Sequence, residues 1–180
     1  MEAWTYLYKE LAERIEDKLP EVKWVDLWHE QVSFLTEELP FPTPAIFIAF
    51  NTNKIDDLGK LIQECDMQVD FYLFYETFSD TYQGSFNQTS AINFLKLLTA
   101  IHTTFHGVSG ANFQTMRRVD MRREDSGGAG NLYRISFSFN IIDNSAEKSF
   151  EEKTGDKVQI IKGDFARPDT TNDSPLFVLS

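Results

Sequence analysis

MQVDFYLFYET, residues 67–77, is the stretch that decides the fold. Every second side chain from Met67 to Tyr75 is apolar, and this period of two is typical of a β-strand. The positions between them include Tyr72 and Phe74, so the predicted strand is apolar on both faces. Either the chain covers both faces itself, or one face meets a neighbouring molecule. Because one layer of helices covers only one face, we favour a neighbour on the face that carries Tyr72 and Phe74.

Further strands and two amphipathic helices flank this strand along the chain. Periodicity and helix-breaking residues predict a helix over 3–19, strands over 22–28 and 45–50, a helix over 90–105, and a hairpin of strands 113–124 and 132–142. The polar stretch 51–64 is predicted to be a short helix or an irregular loop. Runs of strands with two helices indicate an α+β fold, a mostly antiparallel β-sheet with two main α-helices packed on one face.

The character of the sequence changes after Asp143. We expect residues 1–143 to form the α+β domain and residues 144–180 to form a polar C-terminal extension. That extension closes with the apolar sequence PLFVL, which includes Phe177. A polar segment with an apolar end is typical of an arm exchanged between subunits, and the alternatives are a disordered tail or one that folds back on its own domain.

Length, charge and cysteine content restrict the class of protein. A chain of 180 residues suits one domain with an extension, and a single cysteine, Cys65, allows no internal disulfide. The formal net charge of −11 disfavours general binding to phosphate backbones and to anionic membranes. No apolar run is long enough to cross a bilayer. These features predict a soluble protein of a reducing compartment.

Few side chains suggest reactive chemistry. His102 and His106 have the spacing of two metal ligands on a helix, but the sequence HTTFH lacks the glutamate of the zincin motif, and we expect His102 to be a hydrogen-bonded core residue. His29 and Glu30 could act as an acid–base pair, but we expect them to be a strand end at the surface. We find no nucleophile and no cofactor-binding loop, so we predict no catalytic residues, no metal, no cofactor and no enzymatic activity.

Five arginines are concentrated in the late hairpin. They are Arg117, Arg118, Arg122, Arg123 and Arg134. Alternation predicts that Arg117 shares a face with Val119 and Met121, and that Arg118 and Arg122 lie on the opposite face. The cluster could bind nucleic acid, form cross-strand ion pairs, or contact an acidic face of the next subunit. As interface candidates we take these five arginines together with Tyr72, Phe74 and Phe177.

The order of these elements resembles that of the tail-terminator and tail-completion proteins of tailed bacteriophages, including prophages. The resemblance covers residues 3–142. It is carried by the N-terminal helix ending at a proline, by PFPTPAIFIAF and MQVDFYLFYET, by the leucine-rich helix SAINFLKLLTAIHTTFHGV, and by the last strand LYRISFSFNI. Local texture and element order carry the likeness, without a diagnostic motif.

This resemblance implies a structural role. Members of the family are small α+β domains that close into a ring, often of six subunits, at the head-proximal end of the tail tube. The implied partners are other copies of the chain, the tail-tube protein and the head–tail connector, with DNA only as passing cargo. The implied location is the bacterial cytoplasm during assembly and then the virion tail. The alternative is a small α+β module that binds a ligand or nucleic acid through the arginine-rich hairpin.

Overall fold

The computed structural model describes residues 3–34, 41–76, 80–127 and 130–147. It contains two helices and five strands, which are α1 (Ala3–Lys18), β1 (Trp24–Leu27), β2 (Ala45–Gly59), β3 (Ile62–Tyr75), α2 (Gln88–Phe105), β4 (Arg117–Glu124) and β5 (Asn131–Asp143). A short 3₁₀ turn, Gln31–Phe34, follows β1. The predicted α+β class is confirmed.

One sheet joins all five strands in the order β1-β2-β3-β5-β4. The β1–β2 pair is parallel and the other three pairs are antiparallel. Strand β3, which begins at Ile62 and contains MQVDFYLFY, lies at the centre of the sheet. It pairs along its length with β2 on one side and with β5 on the other. This central position explains why the strand is apolar on both faces near its C-terminal end.

Both helices contribute to a single core on one face of the sheet. From α1 the buried residues are Leu7, Leu11 and Ile15. From α2 they are Phe94, Leu97, Leu98, Ile101 and Phe105. These side chains form one cluster with the alternate residues of β3 and β5, from Met67 to Leu73 and from Ile135 to Ile141. The spacing of three and four along each helix places these residues in one stripe, and burying that stripe supplies most of the driving force for packing.

The prediction for residues 51–64 is wrong. This stretch is the distal part of a long hairpin in which β2 continues to Gly59 and β3 begins at Ile62. Lys60 and Leu61 form the turn between them, with φ of 53° and 63°. The local pattern is polar because both faces of β2 are exposed here, so alternation gives no signal. Gly59 between Ile55 and Ile62 is the one local sign of a turn.

The predicted orientation of the arginines in β4 is also wrong. β4 begins at Arg117, and a β-bulge at Val119 shifts its register between Arg118 and Asp120. Arg118 therefore lies opposite Phe137 and Met121 opposite Ile135, and both of those partners belong to the helix-side core. An extra residue in one strand reverses the facing of everything beyond it, which simple alternation along the sequence cannot anticipate.

The described residues include most of the predicted domain but only the first four residues of the predicted C-terminal extension. β5 ends at Asp143, where the predicted domain ends. Residues 148–180, including the interface candidate Phe177, lie outside the described residues, so the extension over 144–180 stays a prediction. Within the described ranges, neither helix combines the length and the apolar character needed to cross a membrane.

Candidate assembly surfaces

The face of the sheet opposite the helices is partly covered by the chain itself. Trp28, just after β1, stacks on Tyr72 with ring centroids 4.1 Å apart. Phe41 packs edge-on against Phe47 at 5.0 Å and against Phe74 at 5.8 Å. Phe74 is consequently only 2% exposed. Contrary to expectation, the chain's own segments occupy this part of the face, so Phe74 is removed from the available surface and Tyr72 is left half-buried.

Local hydrogen bonds explain why the chain turns across the sheet after β1. The buried amide of Gln31 donates to the Leu27 carbonyl at 2.9 Å and accepts from the His29 N–H at 2.9 Å. Glu30 adopts a positive φ of 67° between them. His29 and Glu30 are both exposed beyond the strand end. This placement matches a strand end at the surface. Gln31, which no sequence pattern indicated, holds the backbone on both sides of Trp28.

A buried carboxylate organises the polar half of the same face. Asp70 is 2% exposed and accepts hydrogen bonds from the Asn51 amide at 2.9 Å, the Gln68 amide at 2.9 Å and the Ser136 hydroxyl. The guanidinium of Arg134 lies 3.8 Å from its second oxygen. A buried charge needs such partners to offset its lost hydration. This face is therefore held by a defined polar network and not by loose polar side chains.

Two of the five arginines are neutralised within the sheet. Arg134 donates to Asp120 at 3.2 Å, and its Nε lies 3.1 Å from a Glu124 carboxylate oxygen without the alignment of a hydrogen bond. Arg122 donates to the same Glu124 at 2.9 Å. These contacts agree with the cross-strand ion pairs considered from the sequence. The arginines with no carboxylate partner among the described residues are Arg117, Arg118 and Arg123, all of them exposed.

A groove separates α2 from β4 on the helix side of the sheet. It encloses about 410 Å³. Its lining consists of Leu95, Leu98, Thr99, His102, Arg118 and Met121. Leu95 and Met121 are 57% and 41% exposed, and Ile92 at 43% extends the apolar surface along α2. Because of the bulge at Val119, Arg118 and Met121 lie on the same side of β4, facing the helices.

His102 lines this groove, and His106 follows directly after α2. Their rings are 4.6 Å apart, and His106 Nδ1 accepts a hydrogen bond from the Arg118 backbone N–H at 3.0 Å. His102 Nδ1 is buried without a hydrogen-bond partner among the described residues, which differs from the hydrogen-bonded state we expected. In the described part of the chain, no group of three or more His, Cys, Asp or Glu side chains converges as metal ligands would.

The Arg118→Gln substitution should raise the pKa of His102. Burial lowers the pKa of His102 from its ordinary value, and the positive charges of Arg118 and then His106 lower it further. A lowered pKa means that the folded protein binds fewer protons than the unfolded chain. The free energy of unfolding therefore falls as the pH drops below about 6.5, the pKa of His102 in the unfolded chain, until the pH reaches the lower pKa of the folded state.

Imidazole chemical shifts followed through a pH titration by NMR would measure the change. Arg117→Gln is the matched control, because Arg117 lies opposite Ser138, on the other face of β4, and does not contribute to the lowered pKa of His102. An unchanged His102 titration in Arg118→Gln would show that the guanidinium does not face the imidazole.

The end of the β2–β3 hairpin is the second exposed apolar region. Every residue from Asn51 to Leu61 is exposed. Ile55, Leu58 and Leu61 are 53%, 56% and 49% exposed. β1 pairs with β2 only over residues 45–48, so this part of β2 is also a sheet edge. This region has no strand periodicity, so the sequence did not indicate it as a surface.

Comparison with known proteins assigns no function to these surfaces. No protein-family model and no curated protein matches the chain.

Proposed function

We propose that this protein is a structural component of a bacteriophage tail, a ring-forming terminator or completion factor at the head-proximal end of the tail tube. It acts by binding other protein chains, including further copies of itself, the tail-tube protein and the head–tail connector. The order of elements resembles that family, and the exposed surface supports a role in assembly.

The grouping of exposed apolar side chains carries the proposal. Single exposed hydrophobic residues are normal on any protein surface. Here they are grouped: three lie at the hairpin end, and Ile92, Leu95 and Met121 lie together along the α2–β4 groove. Exposed apolar side chains grouped in this way favour contact with other proteins.

The distribution of charge adds a second argument. The chain carries a net charge of −11, yet Arg117, Arg118 and Arg123 on the edge strand β4 have no carboxylate partner among the described residues. An acidic neighbour would supply those partners and orient the contact. A ring requires such a contact between two different patches of the same molecule. An acidic molecule of this kind would also let DNA pass through the ring without being held.

Binding to the ends of tail tubes is the direct test. We expect the purified chain, mixed with the tail-tube protein encoded in the same genome, to bind tube ends and to shorten the tubes as its molar ratio rises. Negative-stain microscopy and light scattering would measure both effects. Arg117→Gln with Arg123→Gln should weaken the effect, whereas Lys9→Gln with Lys23→Gln removes the same charge elsewhere and should not. A chain that stays monomeric and leaves tube length unchanged would contradict the proposal.

A second candidate function is anion binding in the α2–β4 groove. Arg118 and the unpartnered imidazole nitrogen of His102 favour it. Titration with single-stranded DNA at low and high salt distinguishes it, because phosphate binding weakens steeply as salt rises. Binding at low salt that Arg118→Gln abolishes would favour this alternative over assembly.

A further inference from the structure

The α2–β4 groove has a composition unlike the rest of this acidic chain. Helix α2 contains no Asp or Glu and one cation besides histidine, Lys96. Arg118 lines the groove, and Arg123 follows it on the same side of β4, opposite Tyr133. Leu95 and Met121 supply exposed apolar contact. The groove therefore suits an occupant that is both apolar and acidic.

The end of the β2–β3 hairpin has that complementary composition. Its three exposed aliphatic side chains are Ile55, Leu58 and Leu61. From residue 51 to residue 66 there are four carboxylates and two lysines, which gives a net charge of −2. The carboxylates are Asp56, Asp57, Glu64 and Asp66. The groove and the hairpin end thus match in both apolar character and sign of charge.

The turn at the hairpin end has an unfavourable backbone conformation that folding of a single chain does not explain. Lys60 and Leu61 both adopt positive φ, a conformation for which Asn and Gly are the favoured residues in two-residue hairpin turns. Leu61 is also 49% exposed. Both the backbone conformation and the exposure of Leu61 are unfavourable for the turn itself. Contact with a partner explains this leucine better than the stability of the turn does.

Docking of the hairpin in a groove is better supported than joining of sheet edges. The exposed edge of β2 has register shifts between Thr52 and Lys54 and between Asp57 and Gly59, and β4 has one between Arg118 and Asp120. Bulges and charged residues on edge strands oppose regular pairing with another strand. Contact through side chains is therefore the more favourable mode of association.

We propose that the hairpin end of one copy of this chain, residues 51–66 with the turn at Lys60 and Leu61, docks in the α2–β4 groove of the next copy. This deepens the proposed function, on which it rests, by naming the two surfaces of the ring contact. Because the surfaces differ, each copy offers one of each, and the association proceeds head to tail. Leu58 and Leu61 pack against Leu95 and Met121, while the hairpin carboxylates face Arg118.

Two variants, each defective in one surface, provide the test. The hairpin variant is Leu58→Glu with Leu61→Glu, and the groove variant is Leu95→Glu. All three positions are exposed, so circular dichroism and thermal unfolding should match wild type. By sedimentation velocity, each variant alone should self-associate at least about tenfold more weakly than wild type, the effect of losing a central interface side chain. An equimolar mixture should form dimers and nothing larger, since one intact hairpin end and one intact groove remain.

Matched controls each add one negative charge near a surface without removing an apolar contact. Asn53→Glu changes the hairpin, and Asn93→Glu changes an exposed position of α2 outside the groove lining. Both should assemble as wild type does. Self-association or tube-end binding that both variants retain would overturn the docking arrangement and leave the proposed function intact. If the variants lose tube binding but still self-associate, the docking arrangement is also overturned and the proposed function stands. A wild-type chain that associates with neither itself nor the tube overturns both.

Discussion

Replacing Asp70 with alanine is expected to lower the free energy of unfolding by about 2–4 kcal/mol. The substitution removes the common acceptor of the Asn51 and Gln68 amides and the Ser136 hydroxyl. Ser136 is fully buried and cannot recover its hydrogen bond from water, whereas the two amides are part-exposed. Arg134 keeps Asp120 and Glu124, so its charge is not left alone. The cost therefore comes mainly from unsatisfied donors.

Urea unfolding followed by circular dichroism would measure this loss. Asp66→Ala is the matched control, because Asp66 lies four residues before Asp70 on the same face of β3, opposite Asn140. This substitution should change the free energy of unfolding by less than about 0.5 kcal/mol. Asp70→Asn keeps one carbonyl oxygen and should fall between wild type and Asp70→Ala. Equal stability of Asp70→Ala and wild type would mean that the network does not hold this face of the sheet.

Replacing Phe71 with alanine should cost about 3–5 kcal/mol, the range for truncating a buried aromatic residue. Phe71 is fully buried at the centre of β3, where its ring stacks on Phe105 of α2 at 4.5 Å. It also meets Phe137 of β5 edge-on at 5.7 Å. The cavity would thus open at the junction of α2 with two strands. Since rigid packing on three sides limits collapse, we expect a value in the upper part of the range.

The midpoint of urea unfolding should shift while its slope stays constant, because the surface exposed on unfolding hardly changes. Phe86→Ala is the matched control: it deletes the same side chain at a position that is 93% exposed, and should be nearly neutral. Phe71→Leu should lose less than Phe71→Ala because leucine fills part of the volume. A small effect of Phe71→Ala would show that α2 packs on the sheet through other residues.

These two substitutions act on the folded body, whereas the assembly variants act on exposed positions. Asp70 and Phe71 are adjacent in β3 and point to opposite faces of the sheet. One supports the polar network beneath Arg134, and the other supports the helices. Loss of tube binding in either variant should therefore follow its loss of folded protein. The hairpin and groove variants should lose association while remaining folded.

Local sequence predicted the elements whose burial is one-sided and regular. The stripe from Phe94 to Phe105 and the alternation from Leu132 to Ile141 each match one structural period, and both elements form as expected. Residues 51–59 gave no such signal, because both faces of β2 are exposed there and it is pairing with β3 that makes the segment a strand. The candidate surfaces depend on that segment, so the sequence located only part of them.

The amino-acid sequence by itself determined the α+β class, the two helices on one face and the strand that contains Phe71, because periodic burial is written in the order of residues. Tertiary pairing alone decided which arginines pair with a carboxylate of the described residues. The bulge at Val119 puts Arg118 on the same side of β4 as Met121, and the register of β5 places Arg134 among Asp70, Asp120 and Glu124. Facing and charge pairing depend on distances between residues far apart in the chain, and these distances are set only when the strands come together.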